Sequence, residues 1–297
     1  MSPALVVLGN LLVDDVVFPD GRTRFAQAGG ACLYLALGAA LWGLRVGLVS
    51  VSGDEYPASM LDALRARGVD LQGVRRLGRP GLRTWLLYEG ARRRIVHRLE
   101  GPTHSEVSPV AADVPEVWRK APAFHLAPMP LDVQARLVDA IGSWSNARIS
   151  LDPYELFNSD TLPALAPVLS RIDVLFLSED ELELGVGGRR EDALRSLLAG
   201  RLQSVAFKRG AAGGVLARRA GFLDWAPRAG KVADPTGAGD AFAAGVLAGW
   251  GRGEADERAL ARGVVTASFA IEAWGADGLH AATPESAERR LSEWFPA

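Results

Sequence analysis

Apolar residues fall in short blocks along this chain, and the spacing of the blocks carries most of the information about its fold. Residues 4–8 (ALVVL) are a continuous apolar run closed by Gly9, as in a strand buried on both faces of a parallel sheet. Residues 30–44 follow as an Ala/Leu-rich helix broken at Gly43, and residues 46–51 form the next apolar strand. Residues 57–67 predict a second helix stopped by Gly68, leading into the strand-like VDLQGV. The same rhythm returns with strands at 123–126, 147–151, 174–177 and 204–208, and with helices such as 131–143 and 190–200 between them. Residues 215–217 and 222–226 read as two strands about a turn at Gly221. Beyond Asp234 the chain turns helical to Trp250, and again from Asp256 to Trp274. Strand and helix in alternation predict an α/β fold with a wound, mainly parallel sheet.

Two segments break the rhythm. Residues 83–99 carry two strand-like stretches about Glu89-Gly90-Ala91, and residues 13–28 carry two more about Pro19-Asp20-Gly21. Hairpins without an intervening helix do not belong in a parallel sheet, so they predict a separate β layer able to cover a cleft. With no internal repeat and no linker, the expected organisation is one domain over residues 1–297, with a β lid from about 13–28 and 83–99.

Composition narrows the class. A formal net charge of −2 over 297 residues provides no basic stripe for nucleic acid. The single cysteine, Cys32, excludes an internal disulfide and a Cys-rich zinc site, and it fits a reducing compartment. His97, His104, His125 and His280 lack metal-ligand spacing. No apolar run approaches the ~20 residues that cross a bilayer, and the first residues lack the basic and apolar regions of a signal peptide. The expectation is a soluble cytoplasmic protein that binds neither membrane nor nucleic acid. Only three lysines accompany 30 arginines, and one of them, Lys208, stands beside a glycine-rich turn.

The strongest chemical signal is Asp234-Pro235-Thr236-Gly237-Ala238-Gly239-Asp240, followed by Ala-rich sequence to Gly245. Glycines directly before a helix let backbone N–H groups approach an anion, and the helix N-terminus adds its dipole and free donors. Asp240, at the helix head, has two readings. It either complements the helix dipole or, beside a bound phosphate, accepts a proton from an attacking hydroxyl.

The run DPTGAGDAFAAG closely resembles the C-terminal signature of the ribokinase-like (PfkB) family of carbohydrate kinases. GNLLVD at 9–14, Gly29-Gly30 before an Ala/Leu helix, VSVSGDE at 49–55 and KRGAAG at 208–213 are similar to further family segments, in order from residue 5 to about 280. The resemblance implies a three-layer α/β/α sandwich with a mainly parallel central sheet and a small β lid. It implies transfer of the γ-phosphate of ATP to a hydroxyl of a sugar or sugar-like polyol. Asp240 would be the general base, and the N–H groups of Gly237, Ala238 and Gly239 the anion hole. Asp14, Gly29, Gly30 and Tyr34 would bind the acceptor; Lys208, Gly210 and Asp234 would serve the nucleotide, with Asp234 ordering its loop, together with a monovalent cation such as K+. Glu181, in Ser178-Glu179-Asp180-Glu181, falls on the family's Asn-x-x-Glu motif and would organise Mg2+.

Two positions depart from the pattern: Ser178 replaces the Asn of that motif, and Tyr34 replaces a sugar-contacting Asn. With TWLLYEGARRR and HLAPMP downstream, Tyr34 is more like a branch that includes plant-type myo-inositol kinases. A nucleoside (adenosine-type) kinase of the same fold is the alternative, and a non-catalytic ligand-binding protein on this fold is a third reading. A Rossmann dehydrogenase is poorly supported, because no G-x-G-x-x-G turn follows Gly9. Asp15 competes with Asp14 for the acceptor, since strand alternation sends the two to opposite faces. Trp85 is a candidate to stack on a sugar, and one of Arg92, Arg93 and Arg94 to close over an anion. Exposed lid edges are where a homodimer would pair.

Overall fold

The computed structural model describes residues 2–89, 92–98, 100–183, 188–228 and 230–296. The chain opens with β1 (Leu5–Leu8), then β2 (Leu12–Val17) and β3 (Thr23–Gly29), α1 (Ala31–Leu41), β4 (Val46–Ser52), α2 (Ala58–Ala66) and β5 (Asp70–Arg76). A second hairpin, β6 (Arg83–Glu89) and β7 (Arg92–His97), precedes the units β8 (Ala123–Leu126), α3 (Leu131–Trp144), β9 (Arg148–Leu151), α4 (Leu162–Leu169), β10 (Val174–Ser178), α5 (Arg190–Leu197) and β11 (Ser204–Lys208). It ends with β12 (Gly214–Arg218), β13 (Gly221–Trp225), α6 (Ala238–Gly251), α7 (Asp256–Ile271), α8 (Asp277–Ala281) and α9 (Pro284–Trp294).

Nine strands build one sheet in the order β13-β12-β11-β10-β9-β8-β1-β4-β5. It is parallel from β11 to β5, with β12 and β13 antiparallel at one edge. The apolar run of β1 is explained by its central place. Leu5 and Val7 join the core under α1, α6, α7, α8 and α9, while Val6 and Leu8 join the core under α3, α4 and α5. Alternate side chains of one strand thus fill two cores, and the molecule is an α/β/α sandwich.

The irregular segments form a second, four-stranded sheet in the order β3-β2-β6-β7, with β2 and β6 parallel and the other pairs antiparallel. The turn expected at Gly90-Ala91 lies outside the described residues. Three helices were given no bounds by the hydrophobic pattern: α4, the five-residue α8 and α9. The eight-residue α4 carries Pro163 and Pro167, which read as breakers, and α9 is mostly polar with only Ala287 and Leu291 buried. The helix expected beyond Asp234 begins at Ala238, and residues 234–237 form the turn that enters it. Among the described residues no helix is long and apolar enough to cross a membrane.

Candidate active site

The candidate residues gather at the carboxyl ends of the parallel strands, where an open α/β sheet leaves its crevice. The head of α6 is the centre. Gly237 is its N-cap at φ 73°, in the left-handed region that glycine enters without strain. Its missing side chain is also a packing requirement, since a Cβ there would lie 2.2 Å from Cδ1 and 2.4 Å from Cε1 and Cγ of Tyr34. The phenol of Tyr34, on α1 and 2% exposed, is therefore the floor on which the loop rests. The expected acceptor contact is thus seated beneath Gly237. First-turn amides of a helix have no i−4 carbonyl. That of Ala238 makes a long turn bond of 3.3 Å to the Pro235 carbonyl. Buried Asp234 braces the loop from behind, its Oδ1 accepting from Thr236 N–H (2.9 Å) and its Oδ2 from Gly275 N–H (3.0 Å). Both oxygens are used in ordering the loop.

Asp240 is the third residue of α6, half-buried. Its charge reaches two groups of side chains. On one side it disfavours the ionised forms of Tyr34 and Cys32, each held chiefly by burial, Tyr34 well above the usual phenol range and Cys32 at about 12. On the other side it contributes to raising Asp152 and Lys208.

Lys208 ends β11, and its Nζ donates to Asp152 Oδ1 at 2.6 Å. A Cβ on Gly239 would lie 3.2 Å from that Nζ, so the ammonium stands directly behind the head of α6. The expected nucleotide contact therefore stands beside the head of α6. Burial pushes Asp152 up to about 6, against the pull of Lys208. Burial also opposes the charge on Lys208, but the carboxylates of Asp152, Glu181 and Asp240 outweigh it and keep the ammonium. Glu181 closes a short turn after β10, its Oε2 accepting from Ser178 N–H at 2.6 Å; burial brings it to about 7. Gly210 opens the next turn, with open space where a side chain would stand. Among the described residues no group of three or more His, Cys, Asp or Glu could hold a metal unaided. A single inward carboxylate such as Glu181 fits an ion whose other ligands are phosphate oxygens and water.

Opposite α6 lies the glycine pair. A Cβ on Gly29 would meet Asp14 Oδ2 at 1.8 Å, and one on Gly30 (φ 97°) would meet the Asn10 carbonyl at 2.1 Å. These glycines let the Asp14 carboxylate and the end of β1 close on the start of α1. Asp15 is committed elsewhere, held by Arg83 through two bonds of 2.7 Å and by Ala26 N–H at 2.8 Å. Trp85 pairs with Asp15 across the strands and meets Phe25 edge-on at 5.8 Å, which gives it the other side of the small sheet from Asp14. The small sheet touches the loop directly: Tyr88 of β6 stacks on Phe18 at 4.8 Å and shares a 2.7 Å hydrogen bond with Thr236. The side chains of Arg92 and Arg93 lie outside the described residues, and Arg94 is exposed.

Sequence reasoning missed Asp152, Thr236, Tyr88 and Asn10. Asp152 carried a signal, as a carboxylate directly after a buried strand and before Pro153. The side chains of the other three have partners 94 or more residues away in the chain.

The profile of the pfkB family carbohydrate kinases matches residues 6–281. A cytidine kinase of Thermococcus kodakarensis is 30% identical over 282 residues, spanning 91% of this chain and 97% of that protein. Among solved structures, a fructokinase from Xylella fastidiosa with bound ATP superposes with a TM-score of 0.77 at 18% identity, covering 98% of this chain and 99% of that one. A nucleoside kinase from Burkholderia thailandensis in complex with inosine gives 0.76 at 17% identity, covering 99% of each.

Proposed function

The chain belongs to the pfkB family of carbohydrate kinases and is a phosphotransferase with an alcohol acceptor, and from that premise we propose that it moves the γ-phosphoryl group of ATP to a hydroxyl of a sugar or sugar-like polyol, free or as part of a nucleoside. The observation that carries this reading is the position of Asp240, whose charge is felt by Lys208 and Asp152 on one side and by Tyr34 on the other, Tyr34 being the group that also feels Asp14. A base between a phosphate-binding helix head and an acceptor carboxylate is the arrangement phosphoryl transfer needs.

Asp14 and the Gly29-Gly30 turn hold acceptor hydroxyls. The carboxylate of Asp240 takes the proton of the reacting hydroxyl as its oxygen bonds to the γ-phosphorus, and the bond to the β–γ bridging oxygen breaks to release ADP. The N–H groups of Gly237, Ala238 and Gly239 stabilise the charge gathering on the transferred group, and Lys208 adds a fixed cation behind them. Glu181 would hold Mg2+, which would supply charge neutralisation and order at the phosphates. A monovalent cation such as K+ would act on the Asp234-braced loop, and comparing rates in KCl and choline chloride checks it. The small sheet serves as a lid. Exposed Phe25 and Val96, on the same sheet, suit pairing of two copies, which sedimentation measures. The buried, lone Cys32 fits a reducing cytoplasm.

The test is an ADP-release assay over free sugars, inositols, nucleosides and 2-keto-3-deoxy acids, run with the wild type and Asp240→Asn. The variant is expected to fold normally and to lose about 10²–10⁴ in kcat, the usual contribution of a general base. Near-normal turnover in Asp240→Asn removes the assignment.

A further inference from the structure

His125 is a fully buried polar side chain in the otherwise apolar β8. Its strand neighbours Phe124 and Leu126 enter the core under α3, α4 and α5, so alternation turns His125 to the α6 side of the large sheet. There its ring meets that of Phe176 edge-on at 5.8 Å. Ser150 of β9 is its register partner, and Ser150 Oγ lies 2.8 Å from His125 Nδ1. Two residues beyond Ser150, Asp152 returns to the same face and accepts from Lys208. Ser150, His125, Asp152 and Lys208 therefore form one polar row that runs from β8 to the back of Gly239.

The row is open at one place. His125 Nε2 and Asp152 Oδ2 are both buried, and neither has a hydrogen-bond partner among the described residues. They face each other at 3.8 Å, beyond the ~3.2 Å of a good N–H···O bond. One placement of the ring hydrogen meets both needs. Burial, helped by the charge of Lys208, holds His125 down at about 3, so the ring is neutral at ordinary pH and carries one N–H. With that hydrogen on Nδ1, the Nε2 lone pair would face a carboxylate oxygen, and two acceptors would oppose each other. With it on Nε2, the Ser150 hydroxyl donates to Nδ1 at 2.8 Å rather than to the more distant Phe124 carbonyl at 3.3 Å, and Nε2–H is offered to Asp152 Oδ2. Leaving either buried atom unpaired costs its desolvation, which favours the second arrangement.

We propose that His125 is a positioning residue for phosphoryl transfer: its Nε2–H holds one oxygen of Asp152, so that the other keeps Lys208 at the head of α6, where the phosphates of ATP would sit. The proposal rests on the reading above that Lys208 serves those phosphates. His125 touches neither nucleotide nor acceptor and acts only through Asp152. Its contact matters most when phosphate oxygens draw on the Lys208 ammonium. Asp152 then shares its counter-ion and needs a second donor to remain an anion. Hydrogen bonds in such sites are often long without ligand and shorten when it binds.

Two substitutions separate the two ring nitrogens. The amide of His125→Asn reaches the place of Nδ1 and keeps Ser150, whereas that of His125→Gln reaches the place of Nε2 and can donate to Asp152. Titration calorimetry of the intact protein with AMP-PNP and MgCl2 reads the phosphate site without an acceptor or turnover. His125→Asn is expected to bind AMP-PNP about tenfold or more weakly, the factor for a lost hydrogen bond to a charged group, and His125→Gln to stay close to the wild type. Urea midpoints of both variants separate folding from binding. If His125→Asn does not fold, the wild type decides: long-range 1H–15N spectra, assigned by the signals missing in His125→Gln, should place the ring hydrogen on Nε2. A hydrogen on Nδ1 overturns the proposal, as does equal weakening in both variants. A lowered urea midpoint in His125→Asn with unchanged AMP-PNP affinity also overturns it, because His125 would then serve stability alone. A wild type that binds no AMP-PNP would instead refute the kinase reading, a result distinct from tight binding that His125→Asn leaves intact.

Discussion

Replacing Gly237 by alanine tests whether Tyr34 is the floor of the anion-binding loop or a contact to the acceptor. The left-handed conformation at φ 73° costs a non-glycine residue about 1–2 kcal/mol. The new Cβ would also stand 2.2 Å from a ring carbon of Tyr34, well inside contact distance, and a buried ring has little room to retreat. Overpacking of this kind costs about 1–3 kcal/mol more, so Gly237→Ala should lose about 2–5 kcal/mol in all. In a Tyr34→Ala background the steric part disappears, and the same substitution should cost only the backbone strain, about 1–2 kcal/mol. Urea denaturation of the four proteins in this cycle gives the coupling directly. Turnover should follow the loop: Gly237→Ala displaces the amides of the helix head, and losing one such donor costs about 10²–10³ in kcat. Equal destabilisation by Gly237→Ala in both backgrounds would refute the packing argument. So would a Tyr34→Ala variant in which only the acceptor KM changes, since that outcome puts the phenol against the acceptor.

Asp152→Asn should cost about 3–5 kcal/mol, because it removes the closest counter-charge of a desolvated ammonium; Lys208→Met placed on top of it should recover part of the loss in a urea titration. Glu181 reports through pH. Its carboxyl titrates near 7 in the folded protein and near the usual 4.5 when unfolded, so between those values the folded state holds the extra proton and stability falls as pH rises. Glu181→Gln should flatten the dependence of the urea midpoint on pH in that window, and it should raise the Mg2+ needed for half-maximal activity more than it weakens acceptor binding; an unchanged Mg2+ titration removes Glu181 from the site. Peptides covering β2–β3 and β6–β7 should exchange hydrogen more slowly once acceptor and a nucleotide analogue are added, whereas protection confined to residues 234–245 would reduce the small sheet to ordinary surface structure.

Much of the architecture was legible because it is written in local patterns. A strand buried on both faces is mostly apolar, so β1, β4, β8, β10 and β11 announce themselves in four to seven residues each. The hairpins announce themselves by lacking a helix. The head of α6 was legible for the same reason: glycine tolerance, dipole and first-turn amides all belong to one stretch of chain, Asp234 to Asp240. Where these signals were weak the reading failed, as in the proline-bearing α4 and the polar α9.

The sequence by itself therefore determined the fold class, the glycine-rich helix head and Asp240 as its carboxylate, because each follows from residues within a few positions of one another. The tertiary structure decided which distant side chains meet there. Strand order brings β9 beside β10 and β10 beside β11, and so sets Asp152 on Lys208, whose Nζ stands behind Gly239. The direction of Tyr34 is fixed by where α6 packs on α1, over 200 residues later in the chain. Arg83 claims Asp15, a contact 68 residues along the chain that no local pattern shows. His104 met Asn10, His97 and Tyr154 only when the small sheet folded over the large one. Periodicity and turn chemistry act along the chain, whereas a site at the ends of nonconsecutive strands depends on contacts between segments whose separation no local pattern encodes.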